Sequence, residues 1–332
     1  MFDGMNLTEN AVKLTSISID KIYLMYCIST QFVQERFISR FHQVAQPKLS
    51  IETSLKTIIP IPSLSEQKRI VSIIEDAFTI IDNLEENKQS LEQVIKQSKS
   101  KVLDLAIRGK LVLQDSNDEP ASILLERIRA EQKKAGKKVE NTFDNSHYPE
   151  LPRGWIIAQL SDICVYERGI TFPSSAKQMS KSCDSIACVR TANVQEILEL
   201  DDLWYIDKKY IKNNSTKLLR DGDIIMSTAN SRELVGKTSY VETVQQEMTF
   251  GGFVMVIRTQ QIDSKYIFYL LRSMFGKGLF ANGSTQTTNI ANINTVVLGN
   301  FSILIPPLEE QKRIVKKIET TFQILDSIQN NI

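Results

Sequence analysis

Residues 62–71 read Pro-Ser-Leu-Ser-Glu-Gln-Lys-Arg-Ile-Val, and residues 306–315 read Pro-Pro-Leu-Glu-Glu-Gln-Lys-Arg-Ile-Val. The offset of 244 residues persists through Phe78 and Phe322, Ile80 and Ile324, and Asp82 and Asp326. A repeat in fixed register outranks any local signal, and a period this long implies two large units rather than a solenoid stack. Each copy opens as a helix opens. Proline sits at or before the first turn, Ser65 or Glu309 follows, and Glu66 or Glu310 places negative charge at the positive helix end. Apolar residues then recur at steps of four and three. The first copy runs Ile70, Ile74, Ala77, Ile81, Leu84, then Leu91, Ile95, Val102 and Leu105; the second runs Ile314, Ile318, Thr321, Leu325, Ile328 and Ile332. This is a heptad seam, the pattern of a helix that packs on another helix, interrupted at Lys88, Ser98 and Thr321. Neither Gly nor Pro occurs between Leu64 and Arg108. The first helix is therefore expected to run about 45 residues, or ~67 Å. A single stripe of this kind is ordinarily a buried helix face; its duplication points to a paired arrangement.

Proline, an aliphatic residue, then Glu-Gln-Lys-Arg-Ile-Val at the head of a seam-bearing helix, used twice, resembles the specificity subunit of type I restriction–modification enzymes. The resemblance extends over nearly the whole chain. It implies an α+β fold, with mixed α/β target-recognition domains separated by long coiled-coil helices that pair antiparallel. It implies a non-catalytic, cytoplasmic subunit that binds double-stranded DNA and docks DNA methyltransferase (modification) subunits. It implies no cofactor in this chain: S-adenosylmethionine belongs to the methyltransferase partner, and ATP and Mg to a restriction/motor subunit.

Bulk composition agrees without deciding. The 332 residues suffice for two domains with proper cores. Net charge is +1, from 40 basic and 39 acidic residues, so any phosphate-binding surface must be local or shared with partners. Cys27, Cys164, Cys183 and Cys188 lack the paired spacing of a zinc site, and the only histidines are His42 and His147. Metal is not expected, and the cysteines read as reduced thiols. No run of about 20 apolar residues reads as a membrane span, and the first residues lack the basic and apolar regions of a signal peptide.

A second repeat lies near the start. Residues 19–26 read Ile-Asp-Lys-Ile-Tyr-Leu-Met-Tyr, and residues 262–269 read Ile-Asp-Ser-Lys-Tyr-Ile-Phe-Tyr, an offset of 243. Residues 1–62 are accordingly expected to be the C-terminal part of a first target-recognition domain whose front is missing. The competing account is a genuine short N-terminal subdomain. Residues 63–110 form the spacer helix, which Gly109 ends. Residues 111–149 form a connector. The 109–113 stretch at its entry reads as extended, residues 119–122 open a helix with Ile123, Leu124, Leu125 and Ile128 apolar, and Arg127, Arg129, Lys133, Lys134, Lys137 and Lys138 make the later part basic. Residues 150–306 form a complete recognition domain, entered through Pro152-Arg153-Gly154-Trp155, a step common in the family. Strands are expected at residues 185–190, 223–227, 237–241, 252–257 and 303–305, with a helix over 262–275. Residues 307–332 start the second spacer helix.

Three loops carry residue types suited to DNA. They hold Arg190, Thr191 and Asn193; Thr228, Asn230, Ser231 and Arg232; and Thr285, Gln286, Thr287 and Asn289. Arg can pair with guanine, Asn and Gln with adenine, and Ser or Thr with bases or phosphates. Ordinary turn chemistry is the competing reading for each loop. Helix pairing is assigned to Ile70, Ile74, Ile81, Leu84, Leu91, Ile95, Ile314, Ile318, Leu325 and Ile328. Because the second helix is shorter, Leu91, Ile95, Val102 and Leu105 are expected to lack an intramolecular partner, which favours self-association or capture of a complementing fragment, unless residues 121–136 fold back to cover the seam.

Catalytic patterns fail. Gly236-Lys237-Thr238 suggests a phosphate loop, but Ser231 stands where its first glycine belongs. There is no Asn-Pro-Pro-aromatic or Gly-x-Gly methyltransferase signature, no Gly-x-Ser-x-Gly elbow and no His-Glu-x-x-His. The alternatives to DNA recognition are a coiled-coil scaffold without sequence-specific DNA binding and a self-contained nuclease or methyltransferase.

Overall fold

The computed structural model describes residues 13–15, 17–38, 49–136, 151–211, 214–283, 285–287 and 290–331. Two compact units divide the chain, Met1–Glu92 and Gln93–Ile332. The first unit holds helices α1 (Lys21–Ser29), α2 (Gln31–Ile38), α3 (Ile51–Leu55) and the first turns of α4 (Leu64–Ile107). Its small core joins Tyr23 and Cys27 of α1 to Val71 of α4. Helix α4 has the expected uninterrupted length, 44 residues, and stops at Gly109, whose φ of +65° suits the left-handed position after a helix.

The second unit adds α5 (Ala121–Lys134), β1 (Ile156–Gln159), α6 (Leu160–Ile163), β2 (Cys164–Arg168), β3 (Ser185–Val189), β4 (Trp204–Asp207) and β5 (Ile224–Ser227). It continues with β6 (Ala229–Asn230), β7 (Thr238–Tyr240), β8 (Met248–Phe250), β9 (Val254–Thr259), α7 (Ser264–Gly276) and α8 (Leu279–Gly283). It closes with β10 (Thr285–Thr287), β11 (Ile290–Asn292), α9 (Thr295–Gly299), β12 (Ser302–Ile305) and α10 (Leu308–Asn330). The class is α+β, as expected. The central antiparallel sheet has the order β2-β9-β5-β7. Side chains alternate across a strand, and β9 shows the consequence: Met255 and Ile257 face one core, Val254 and Val256 the other. The first core is packed by α5, α7 and α10. The second is covered by the sheet β4-β3-β8, in which β3 and β8 run parallel. Asp223, buried at the start of β5, takes Arg258 bidentately at 2.8 and 2.9 Å, and the same guanidinium donates to the carbonyls of Thr216 and Leu218. The 109–113 stretch joins no sheet; Leu111 and Val112 pack on the core instead.

The repeat is structural, bond for bond. Gln67 donates to the Pro62 carbonyl (2.8 Å) and accepts from the Asp20 amide (2.8 Å). Gln311 donates to the Pro306 carbonyl (2.9 Å) and accepts from the Asp263 amide (3.0 Å). Asp20 and Asp263 cap α1 and α7 with their side chains. The Tyr23 hydroxyl donates to the Pro60 carbonyl (3.0 Å), and the Tyr266 hydroxyl to the Leu304 carbonyl (2.9 Å). Tyr26 also meets Phe78 and Tyr269 meets Phe322, with ring centroids 6.0 and 5.9 Å apart, the first pair stacked and the second edge-to-face.

Within the second unit the last turns of α4 pair with α10. Lys99 reaches Asp326 at 2.5 Å and lies over the Phe322 ring. Gly109, ten residues later, abuts Trp155, which bonds Glu310 in the first turn of α10. The helices are therefore antiparallel. This pairing corrects one expectation: Ile95 is only 3 % exposed, and Val102 packs on the core beside Leu103. The uncovered apolar stripe lies earlier, at Ile73, Phe78, Ile80, Ile81 and Leu84, with Leu91 and Val94 at its end. Of the remaining seam residues, Ile314 and Ile318 are buried, Ile70, Ile74 and Leu325 half-buried, and Ile328 exposed.

Candidate nucleic-acid interface

The ends of four strands place the candidate loops. Val189 at the end of β3 and Phe250 at the end of β8 are partners in a parallel ladder, so Arg190 and the turn at residues 251–253 leave the sheet at one end. Gly251 donates to the Val189 carbonyl (2.9 Å). At Gly169 a Cβ would lie 1.9 Å from the Gly251 carbonyl oxygen, so only glycine permits this approach. Antiparallel pairing puts the end of β5 beside the start of β9, and Thr228 donates both its amide and its hydroxyl to the Phe253 carbonyl at 3.0 Å. The Thr228 carbonyl in turn accepts from Ile293 (2.9 Å). Two of the three predicted loops then merge: β6 pairs with β11 and β11 with β10, so Asn230 lies opposite Ala291, and Ala291 opposite Gln286. Thr285, Gln286 and Thr287 form β10; Asn289 lies outside the described residues.

The side chains differ in availability. The Arg190 guanidinium is held by the Asp202 carboxylate and carbonyl and lies over the Trp204 ring, 4.9 Å from its centroid. Asn193 is buried; its amide donates to the Asp202 carbonyl (2.9 Å) and its oxygen accepts the Arg190 amide (3.0 Å). These two shape the turn around Thr191. Gln195 ties the loop to Ser239 on β7, whose hydroxyl donates to its carbonyl (2.7 Å). Burial pushes the neighbouring Glu196 carboxyl up, but Arg272 at 2.5 Å, Lys99 and Lys237 outweigh it and hold the group below its ordinary value. Asn230 accepts the Ser231 amide (2.9 Å) and donates to Ser227 (3.3 Å). Ser231 and Arg232 are exposed.

Sequence reasoning missed two members of this edge. Phe253 stands 68 % exposed at the tip of the 251–253 turn, and Arg168 ends β2. Together with Thr228, Asn292 and Asn294 they line a shallow polar cleft. Among the described residues no carboxylate pairs with Arg168 or Arg232. The edge therefore offers two unneutralised guanidinium groups, short polar side chains and one projecting aromatic, a set that can meet phosphates and base edges. The signal for Phe253 was available: an aromatic after two glycines ends a strand on a turn.

Among the described residues no cluster of potential ligands could hold a metal ion, and no helix is long and apolar enough to cross a membrane.

A family model described as the type I restriction modification DNA specificity domain matches residues 3–93 and 152–332. The chain belongs to that family. It is 26% identical over 299 residues to the EcoEI type I restriction enzyme specificity subunit of Escherichia coli, covering 85% of this chain and 48% of that protein. To the EcoKI specificity subunit of Escherichia coli (strain K12) it is 30% identical over 183 residues, covering 54% of this chain and 38% of that protein. The chain thus spans about half, or less, of these relatives. Among solved structures, a chain of a type I R-M system studied for complex assembly and conformational transition gives a TM-score of 0.58 at 20% identity, over 93% of this chain and 65% of that one. The HsdS subunit from Thermoanaerobacter tengcongensis gives 0.52 at 18% identity, over 93% and 64%. These likenesses carry the fold.

Proposed function

We propose that the chain is a non-catalytic DNA specificity subunit that recognises one half of a bipartite duplex target through residues 150–306. The observation that carries this reading is the edge formed by the ends of β3, β8 and β5 and the β10–β11 hairpin, on which no carboxylate among the described residues pairs with Arg168 or Arg232. Arg168 serves phosphates. Asn230, Ser231, Arg232, Thr285, Gln286 and Thr287, with Asn289, read bases or their flanks. Arg190, Thr191, Asn193 and Thr228 hold the loops that carry them. The helices set the spacing between half-sites and dock methyltransferase subunits, which bring S-adenosylmethionine; a restriction/motor subunit brings ATP and Mg.

The test is binding of wild type and variants, with the methyltransferase partner present, to a duplex library at two salt concentrations. Asn230→Ala, Arg232→Ala or Gln286→Ala is expected to weaken the preferred sequence more than random DNA, by about 1–3 kcal/mol where a bidentate base contact is lost. If every variant keeps the wild-type preference, readout lies elsewhere in the domain. A wild type with no preference in any assembly makes the chain a scaffold.

A further inference from the structure

The two copies of the repeat end in different company. In the second unit β1 completes β12, with Ile156 opposite Ile305 and Gln159 opposite Ser302. Leu160 donates to the Phe301 carbonyl (3.1 Å). Bonded and non-bonded pairs alternate in an antiparallel ladder. The ladder bonds therefore fall at Ile303 and Ile305, and the backbone groups of Leu304 turn away from β1, its carbonyl taken by Tyr266. Just beyond, the Trp155 indole donates to Glu310 (3.0 Å), which is 1 % exposed.

In the first unit residues 58–61, Ile-Ile-Pro-Ile, stand where residues 302–305 stand in the second. The groups that would face away from a ladder are engaged: the Pro60 carbonyl accepts Tyr23 (3.0 Å) and the Ile58 carbonyl accepts Arg36 (3.4 Å). The groups that would face it are not: among the described residues none bonds the amide or carbonyl of Ile59 or Ile61. The proline falls at a position whose N–H such a ladder leaves unused. Ile61 is 63 % exposed where Ile305 is 1 % exposed. The Glu66 side chain, equivalent to Glu310, is 39 % exposed and turns to Arg69 on its own helix.

We propose that residues 58–66 dock an extended segment of a separate polypeptide bearing Pro-x-Gly-Trp followed by aliphatic residues. The segment adds as an antiparallel strand to Ile59 and Ile61 and donates its indole N–H to Glu66. An unpaired, pre-extended edge is a template for strand addition, and the second unit displays the completed arrangement. The inference rests on the duplication and not on the DNA-reading proposal.

The probe is a fluorescein-labelled peptide with the sequence of residues 152–163, added to the full chain. Saturable binding at one site per chain is expected, with hydrogen-exchange protection gained at the Ile59 and Ile61 amides. Glu66→Ala in the chain and alanine in place of the peptide tryptophan should each weaken binding about tenfold. Ile61→Pro, which removes a ladder donor, should do the same. No binding up to about 1 mM, or binding without protection at Ile59 and Ile61, overturns the proposal. So does equal affinity in Glu66→Ala and wild type, which would place the peptide elsewhere, for instance in exchange with β1.

Discussion

Gln67 and Gln311 show how one side chain can explain a motif. Each amide bridges the proline that precedes its helix to the amide of an aspartate that caps another, so one residue fixes the mutual placement of a helix start and a second helix start. Both are buried, and a buried group that loses its partner costs its full desolvation. Gln311→Ala strands a carbonyl and an amide, and is expected to lower unfolding free energy by about 2 kcal/mol, measured by urea denaturation. Glu310 beside it makes a pH prediction. Burial, only partly offset by Trp155 and Arg313, raises its carboxyl above the ordinary value. A raised carboxyl contributes stability that is present below the unfolded value and is lost as pH rises through the folded one. Glu310→Gln keeps an acceptor for the indole and removes that loss, so the variant should gain on wild type as pH rises above the ordinary carboxylate range. Denaturation at several pH values checks it; a variant that loses ground as pH rises contradicts the assignment.

At the scale of elements, α4 carries two kinds of apolar residue that look alike in sequence. Leu103 and Ala106 are core, while Ile80, Ile81 and Leu84 are exposed. If the exposed stripe docks methyltransferase subunits, Ile81→Lys combined with Leu84→Lys should abolish co-elution with them while changing unfolding free energy by less than about 0.5 kcal/mol. A large stability loss would show the stripe to be structural. The heptad pattern disclosed the helix, its length and its stop at Gly109, because periodicity and the absence of Gly and Pro are local properties. It could not disclose which turns are covered, since that depends on where α10 begins in space. The strands divide on the same ground. The hydrophobic runs of β3, β5, β7, β9 and β12 were legible. The strands β6, β10 and β11 are only two or three residues long and pair with one another, so none of them carries a run that announces a sheet. The candidate loops were found by residue type alone. That criterion named Arg190 but did not foresee that Asp202 and Trp204 hold it, and it passed over Arg168 because β2 has no strong run.

At the scale of the whole molecule, net charge of +1 means that duplex binding cannot come from bulk attraction and must come from placed cations. Among the described residues, Arg168 and Arg232 are cations on the proposed edge with no carboxylate partner. Arg168→Ala should weaken selected and random duplexes alike and flatten the dependence of log affinity on log salt by about 0.9, the share of one phosphate. Lys133→Ala with Lys134→Ala tests the end of α5 in the same way: a flattened slope would extend the footprint to the connector, and an unchanged slope would mark that face as solvated. The pattern of preferred bases then addresses the duplication. If, as proposed, residues 150–306 are the one reading domain, a library selected on the chain together with methyltransferase subunits should yield one contiguous tract of preferred base pairs. Two tracts at fixed spacing, related by inversion, would mean that two chains read a symmetric site. Two unrelated tracts would require a second reading surface. Repeating the selection with Arg232→Ala separates these cases. A symmetric site loses preference in both tracts at once, whereas an independent second surface keeps its own.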